Sequence, residues 1–123
     1  MGTYYVITAT GWGFGSPVGF SALANGLTHT RSTRNYCINA SLSALAAGLI
    51  NDEYYVAVFI NGVIENQSRM SAKFDTSATY PRTLAINCIS NIPLNATVQI
   101  FVMNNTGIQG LVVKHLNVTL TEC

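Results

Sequence analysis

The pattern of hydrophobic and polar positions is dominated by short runs of β-branched and aromatic residues with turn residues between them. Such runs have the length and composition of β-strands. They cover residues 4–9, 18–24, 34–42, 53–60, 63–73 with an irregular middle, 82–89, 96–104 and 111–120. Turn residues such as Asn25-Gly26 and Asn61-Gly62 stand between them. About eight short strands predict one all-β domain over residues 1–123, a two-sheet antiparallel β-sandwich of the jelly-roll type.

Two of these strands are apolar on both of their faces, because successive strand residues point to opposite sides. One set of alternate positions is Val56, Val58, Ile60, Val98, Ile100 and Val102. The other set is Tyr55, Ala57, Phe59, Gln99, Phe101 and Met103. A sandwich core covers one face of a sheet, so the second apolar face predicts a partner, most simply another copy of the chain.

The last predicted strand has one polar face. In residues 111–120 we expect Val112, Lys114 and Leu116 to share one face. The other face carries Val113, His115, Asn117 and Thr119, which form the more polar set. This strand is therefore predicted to be half solvated.

The charge content sharpens the expectation of self-association. Only 9% of the 123 residues are charged, against 49% hydrophobic, whereas about a quarter of a typical globular domain is charged. The net charge of +1 is spread singly along the chain, which argues against nucleic acid and anionic membrane as partners. The apolar stretch 42–50 is shorter than the ~20 residues of a membrane-spanning helix.

No arrangement of residues predicts catalysis, a cofactor or a metal. The glycine-rich stretch GWGFGSPVG lacks the spacing and the lysine of a phosphate-binding loop. His29 and His115 have no other ligand at metal-binding spacing, and each is expected to be a polar strand residue facing solvent or an interface. Asp52 and Glu53 are expected to be a solvated strand entry.

Aromatic residues in and near the glycine-rich stretch suggest a contact surface. Trp12, Phe14 and Phe20 are predicted to dock a partner, because exposed aromatic side chains suit contact surfaces. A carbohydrate is the alternative ligand, with Trp12, Phe14 and Tyr80 stacking on it.

Three cysteines leave the redox state open. Cys37 and Cys88 lie in apolar strands and are expected to be buried free thiols, although a disulfide between them would form in an oxidising setting. Cys123 is expected to be an exposed thiol or an intermolecular link. The five Asn-x-Ser/Thr sequences, at Asn39, Asn66, Asn95, Asn104 and Asn117, are interpreted as chance products of a composition rich in these residues.

Four consecutive segments carry a resemblance to a known family. They are NYCINASLSAL, YYVAVFINGVIENQS, RTLAINCISNIPLNATVQIFVMNNTG and LVVKHLNVTL. Their order resembles the trimeric jelly roll shared by tumour necrosis factor and the complement globular head and used in many phage structural proteins. The resemblance covers residues 35–123; residues 1–34 are expected to supply outer strands or a docking arm. Asn95-Ala96 stands where the family often has Gly-Asp.

The resemblance implies a homotrimer whose inner sheet packs around a three-fold axis. We assign the set containing Val56 to the sandwich core and Tyr55, Ala57, Phe59, Gln99, Phe101 and Met103 to the axis; the alternation itself also allows the reverse assignment. Residues 1–10 lack the basic start and apolar centre expected of a secretory signal peptide. This favours the viral members of the family over the secreted ones and predicts a non-enzymatic virion protein made in the host cytoplasm. It would be a capsid decoration protein or small head spike that binds the major capsid protein. The alternative is a receptor- or carbohydrate-binding tip of a viral fibre, or a secreted binding module.

Overall fold

The structure is a computed structural model that describes residues 4–7, 12–13, 19–23, 25–46, 51–75, 82–107 and 111–123. These residues form two facing β-sheets, and their helical content is a 3-10 turn at Asn66–Ser68. The strands are β1 (Tyr5–Val6), β2 (Trp12–Gly13), β3 (Phe20–Leu23), β4 (Gly26–His29), β5 (Arg34–Ala46), β6 (Asn51–Ile60), β7 (Val63–Ile64), β8 (Met70–Asp75), β9 (Arg82–Ile92), β10 (Thr97–Asn104) and β11 (Leu111–Glu122).

The strand order is that of a jelly roll. The large sheet has the order β3, β4, β10, β6 and β7, with β1 beside β10 and β8 beside β6. The small sheet has the order β2, β11, β5 and β9. From β4 to β6, and again from β8 to β11, successive long strands alternate between the two sheets. All pairs are antiparallel except β2 with β11. The predicted all-β antiparallel sandwich is confirmed.

The core lies between the two sheets and is filled by alternate residues of the long strands. The large sheet contributes Tyr54, Val56, Val58, Val98 and Ile100, all at most 1% exposed. Facing them across the sandwich, the small sheet contributes Ile38, Ala40, Leu42, Ile86, Leu116 and Val118. Ile60 and Val102 pack against this cluster at its margin. The set containing Val56 therefore faces the core, as we expected, and the opposite set faces outward.

The Asn61-Gly62 pair forms the tight hairpin that its sequence predicts. Both residues have positive φ, 52° and 80°, as the two central residues of a type I′ turn require. Phe59 then pairs with Ile64 and Ile60 with Val63. No atom lies near the position where a side chain would start at Gly62, so its glycine is favoured by backbone conformation and not by lack of space.

Several strands differ from their predicted bounds. Residues 26–29, which lie between the predicted strands 18–24 and 34–42, form strand β4. Gly26 lets β4 approach β10, because a Cβ at this position would lie 2.6 Å from the Val98 carbonyl oxygen. β5 continues to Ala46, beyond its predicted end at residue 42, because Ala44 still points into the core. The irregular middle predicted for 63–73 is the 3-10 turn, which Ser68 fixes by hydrogen bonds to Val58 and Glu65.

A register shift in β11 overturns the predicted face of its first residues. The pairing with β5 shifts between Val113 and His115. Val113 lies opposite the buried Ala44 and packs against the core, and Val112 is 43% exposed. One extra residue in a strand reverses the side to which the following side chains point. The expected shared face of Val112 and Leu116 is therefore wrong.

Candidate functional site: an aromatic sheet face

The six residues predicted to form an interface lie together on the outer surface of the large sheet. Strands β6 and β10 pair so that Tyr55 is opposite Met103, Ala57 opposite Phe101 and Phe59 opposite Gln99. Tyr4 joins them from the segment before β1. We call this set the aromatic face: Tyr4, Tyr55, Ala57, Phe59, Gln99, Phe101 and Met103.

The rings of the aromatic face pack on one another. Phe59 and Phe101 are stacked with centroids 4.1 Å apart and an interplanar angle of 24°. Tyr4 lies against Phe59 at a centroid distance of 5.2 Å. Ala57, between the longer side chains, is completely buried although it points away from the core. The face is therefore a preformed apolar cluster within a single chain, with its larger side chains half-buried.

One positive charge borders this cluster. The guanidinium carbon of Arg69 lies 5.1 Å from the centroid of the Tyr55 ring, within the range of a cation–π interaction. Burial raises the pKa of the Tyr4 phenol, and the nearby Arg69 charge opposes part of that rise. Tyr4 was not among the predicted site residues, although its alternation with Tyr5 in the first strand could have placed it there. Arg69 follows the 3-10 turn, where no periodic pattern could assign its direction.

The outer surface of the small sheet has a different composition. The apolar Ile89, opposite Cys37, is 59% exposed there, but most of the exposed side chains are uncharged amides and hydroxyls along the central strands. We call this set the polar face: Asn35, Asn39, Ser41, Asn87, Asn91, Asn117, Thr119 and Thr121. They stand in register, with Asn39 between Asn87 and Thr119. The Asn91 amide donates a 2.9 Å hydrogen bond to the side-chain oxygen of Asn35.

The residues predicted to form a docking loop are not brought together as one described surface. The backbone of Trp12 is part of β2, beside Leu116 of the small sheet. Phe14 lies outside the described residues, as does Tyr80 of the alternative carbohydrate site. Phe20 is half-buried and packs against the core, with its ring 5.0 Å from that of Tyr36. Docking by this segment stays a prediction.

The two histidines have opposite environments. His115 is exposed, as expected. His29 is completely buried, so the expectation that it faces solvent or an interface is wrong. Its Nδ1–H donates to the Pro93 carbonyl at 3.0 Å, and the Tyr36 hydroxyl donates to its Nε2 at 2.9 Å. Both ring nitrogens are satisfied inside the core, which removes the usual cost of burying a polar group.

The acidic pair at the start of β6 holds a turn. Asp52 accepts hydrogen bonds from the Asn104 amide at 2.8 Å and the Thr106 hydroxyl at 3.3 Å. Glu53 accepts one from the Asn105 amide at 3.1 Å. These bonds fix the segment that follows β10. Among the described residues, no group of three or more His, Cys, Asp or Glu side chains is placed to hold a metal ion.

The cysteines are free thiols and occupy two sides of the small sheet. Cys37 is opposite Ile89 and points outward, whereas Cys88 is opposite Ile38 and packs against the core. Burial, assisted by the charge of Glu65, raises the pKa of Cys88 to about 11. Both thiols are half-buried, and Cys123 is exposed. Because Cys37 and Cys88 point to opposite sides of the sheet, a disulfide between them is not formed.

No protein-family model matches this chain, and a search of curated proteins finds no relative. The resemblance to the trimeric jelly roll of tumour necrosis factor therefore rests on the residues quoted for it. Within the described part of the chain, no helix has the length and apolar character needed to cross a membrane.

Proposed function

We propose that this chain is a non-enzymatic structural protein that assembles into a homotrimer through the aromatic face. The observation that carries the proposal is a cluster of aromatic side chains on the side of the large sheet turned away from the core. Aromatic residues and Met are enriched at the centres of protein interfaces, and charged residues are depleted there. The number of copies, three, follows from the resemblance to trimeric jelly rolls.

The arrangement of the rings favours a protein partner over a sugar. A sugar stacks on an open aromatic face, but Phe59 has Phe101 stacked on it and Tyr4 against it. The Tyr55 ring has the Arg69 guanidinium over it. One face of each of the Phe59, Phe101 and Tyr55 rings is therefore already in contact within the chain, and the remaining apolar surface suits interdigitation with apolar side chains of another sheet.

The charge distribution supports the same partner. Burying an unpaired charge costs several kcal/mol, and none of the seven side chains that define the aromatic face is charged at neutral pH. Arg69, at its edge, already contacts Tyr55. A standard interface buries about 800 Å² on each partner, so the interface would extend beyond these half-buried side chains onto the neighbouring strands.

We further propose that the trimer decorates a virus particle, as a capsid cement protein or small head spike bound to the major capsid protein. This part of the proposal is supported by the resemblance to phage structural proteins. Simultaneous attachment of several copies would strengthen binding through effective concentration.

The viral role can be tested on virus particles purified from the source of this sequence. Mass spectrometry would identify the chain in the particles, and immunogold electron microscopy would locate it. Labels distributed over the capsid are expected for a decoration protein. Labels only at tail or fibre ends would replace decoration by receptor binding, and absence from intact particles would overturn the viral role while leaving trimer formation to its own tests.

A further inference from the structure

A pair of thiols on the outer side of the small sheet has no part in the proposed assembly. Cys37 in β5 lies directly opposite Thr121 in β11. Cys123 follows β11, and its backbone N–H donates to the Asn35 carbonyl at 3.2 Å, which extends the pairing one residue past Glu122 and Tyr36. Alternation along the strand places Cys37, Thr121 and Cys123 on the same face of the sheet. Cys37 and Cys123 are therefore diagonal neighbours.

We propose that Cys37 and Cys123 form an intramolecular disulfide when the protein meets a small disulfide oxidant such as oxidised glutathione, and that Cys88 stays reduced. Diagonal neighbours in antiparallel strands lie about 7–8 Å apart between Cα atoms, with the Cβ atoms closer. A disulfide accepts Cα separations up to about 7 Å. Closing the bond therefore needs a shift of about 1 Å, which Cys123 can supply because it lies beyond the end of β11.

The environments of the thiols support this choice of partners. The Cys37 thiol is the main cause that raises the pKa of Cys123, in agreement with the diagonal placement of the two residues on one face. Cys88 points to the other side of the sheet, and its pKa of about 11 leaves little reactive thiolate at neutral pH.

The reaction is two successive thiol–disulfide exchanges. One cysteine thiolate attacks a sulfur of oxidised glutathione, forms a mixed disulfide and releases one glutathione thiolate. The second cysteine thiolate attacks the protein sulfur of that mixed disulfide and releases the second glutathione. Two protein thiols are oxidised, one oxidised glutathione is reduced to two glutathione molecules, and the two thiol protons are taken up by the products. Since the pKa of Cys123 is raised, the rate should increase as the pH is raised from neutral.

Oxidation of the full chain with glutathione disulfide, followed by alkylation and peptide mapping by mass spectrometry, tests the proposal. We expect a Cys37–Cys123 linked peptide, an alkylated Cys88 and a monomer-sized band on a non-reducing denaturing gel. Cys88→Ser should retain the bond, and Cys123→Ser, at an exposed position, should lose it without loss of fold. A Cys37–Cys88 bond, a Cys123-linked dimer, or three alkylated thiols after prolonged oxidation would each overturn the proposal.

Discussion

The aromatic face and the polar face are the two outer surfaces of the same sandwich, and they differ in what their side chains can do. On the polar face, amides and hydroxyls such as Asn39 and Thr119 are exposed to water. On the aromatic face, Phe59 and Phe101 stack on each other and shield Ala57 completely. Antiparallel sheets commonly have one face on a core and one face in water. The small sheet follows that rule, and the departure of the large sheet from it identifies the surface that we expect to be covered in the assembly.

The largest expected effect is on the association of the copies, and it is tested by placing a charge on each face in turn. Phe101→Asp puts a carboxylate among stacked rings, where assembly would have to desolvate it. We expect association to weaken by about 3 kcal/mol or more at each interface, which is roughly a hundredfold in the dissociation constant. Light scattering should then report monomers for this variant.

Thr119→Asp is the matched control, because Thr119 is an exposed strand residue on the polar face. This variant should keep the mass of the unmodified protein, and circular dichroism should show that both variants retain their sheets. Equal masses for the two variants would mean that the aromatic face is not the interface.

A smaller effect is expected at the margin of the aromatic face. Arg69→Ala removes the guanidinium over the Tyr55 ring, an interaction of about 0.5–1 kcal/mol at exposed positions. The free energy of unfolding, measured with denaturant, should fall by that amount. Lys73→Ala on the neighbouring strand β8 serves as the control, since Lys73 is exposed. An equal loss in both variants would assign the effect to general charge and not to the ring contact.

The smallest expected effect is on the acid stability of the fold, through the ion pairs at one end of the small sheet. Arg34 donates a 3.0 Å hydrogen bond to Glu122, and this bond is the main cause that lowers the pKa of the Glu122 carboxyl. A carboxyl whose pKa is lower in the folded state stabilises the fold above its ordinary pKa of about 4.5, and this contribution is lost as the pH falls through the folded value. Thermal unfolding between about pH 6 and about pH 3 should show a slightly smaller acid destabilisation for Glu122→Gln. The difference should be small because the pair is exposed to solvent. A larger acid sensitivity in Glu122→Gln would reverse the sign that we assign to this group.

The sequence predicts the two central strands of the large sheet well because their alternation is uninterrupted. In β6 and β10 each residue has a fixed side once the strand is recognised, and the Asn61-Gly62 turn sets the register of the hairpin that follows. That alternation separates the two sets of residues, whereas the choice of the set that faces the core rests on the resemblance to the trimeric jelly roll. The role of the six outward residues as an interface stays a prediction.

Features that depend on contacts between distant segments could not be predicted in the same way. The register shift at Val113 in β11 is visible only in the pairing with β5. β4 is too short for a periodic pattern, and its His29 is buried because Tyr36 and Pro93 satisfy both ring nitrogens. Cys37 and Cys88 point to opposite sides of the sheet because of the register between β5 and β9. This register cannot be deduced from the sequence of either strand alone.

The mass of the unmodified protein in solution tests the central claim most directly. Sedimentation equilibrium at micromolar concentration should give three times the 13.2 kDa mass of one chain. A mass of one chain under these conditions would contradict the proposal that the aromatic face is covered by further copies of the protein.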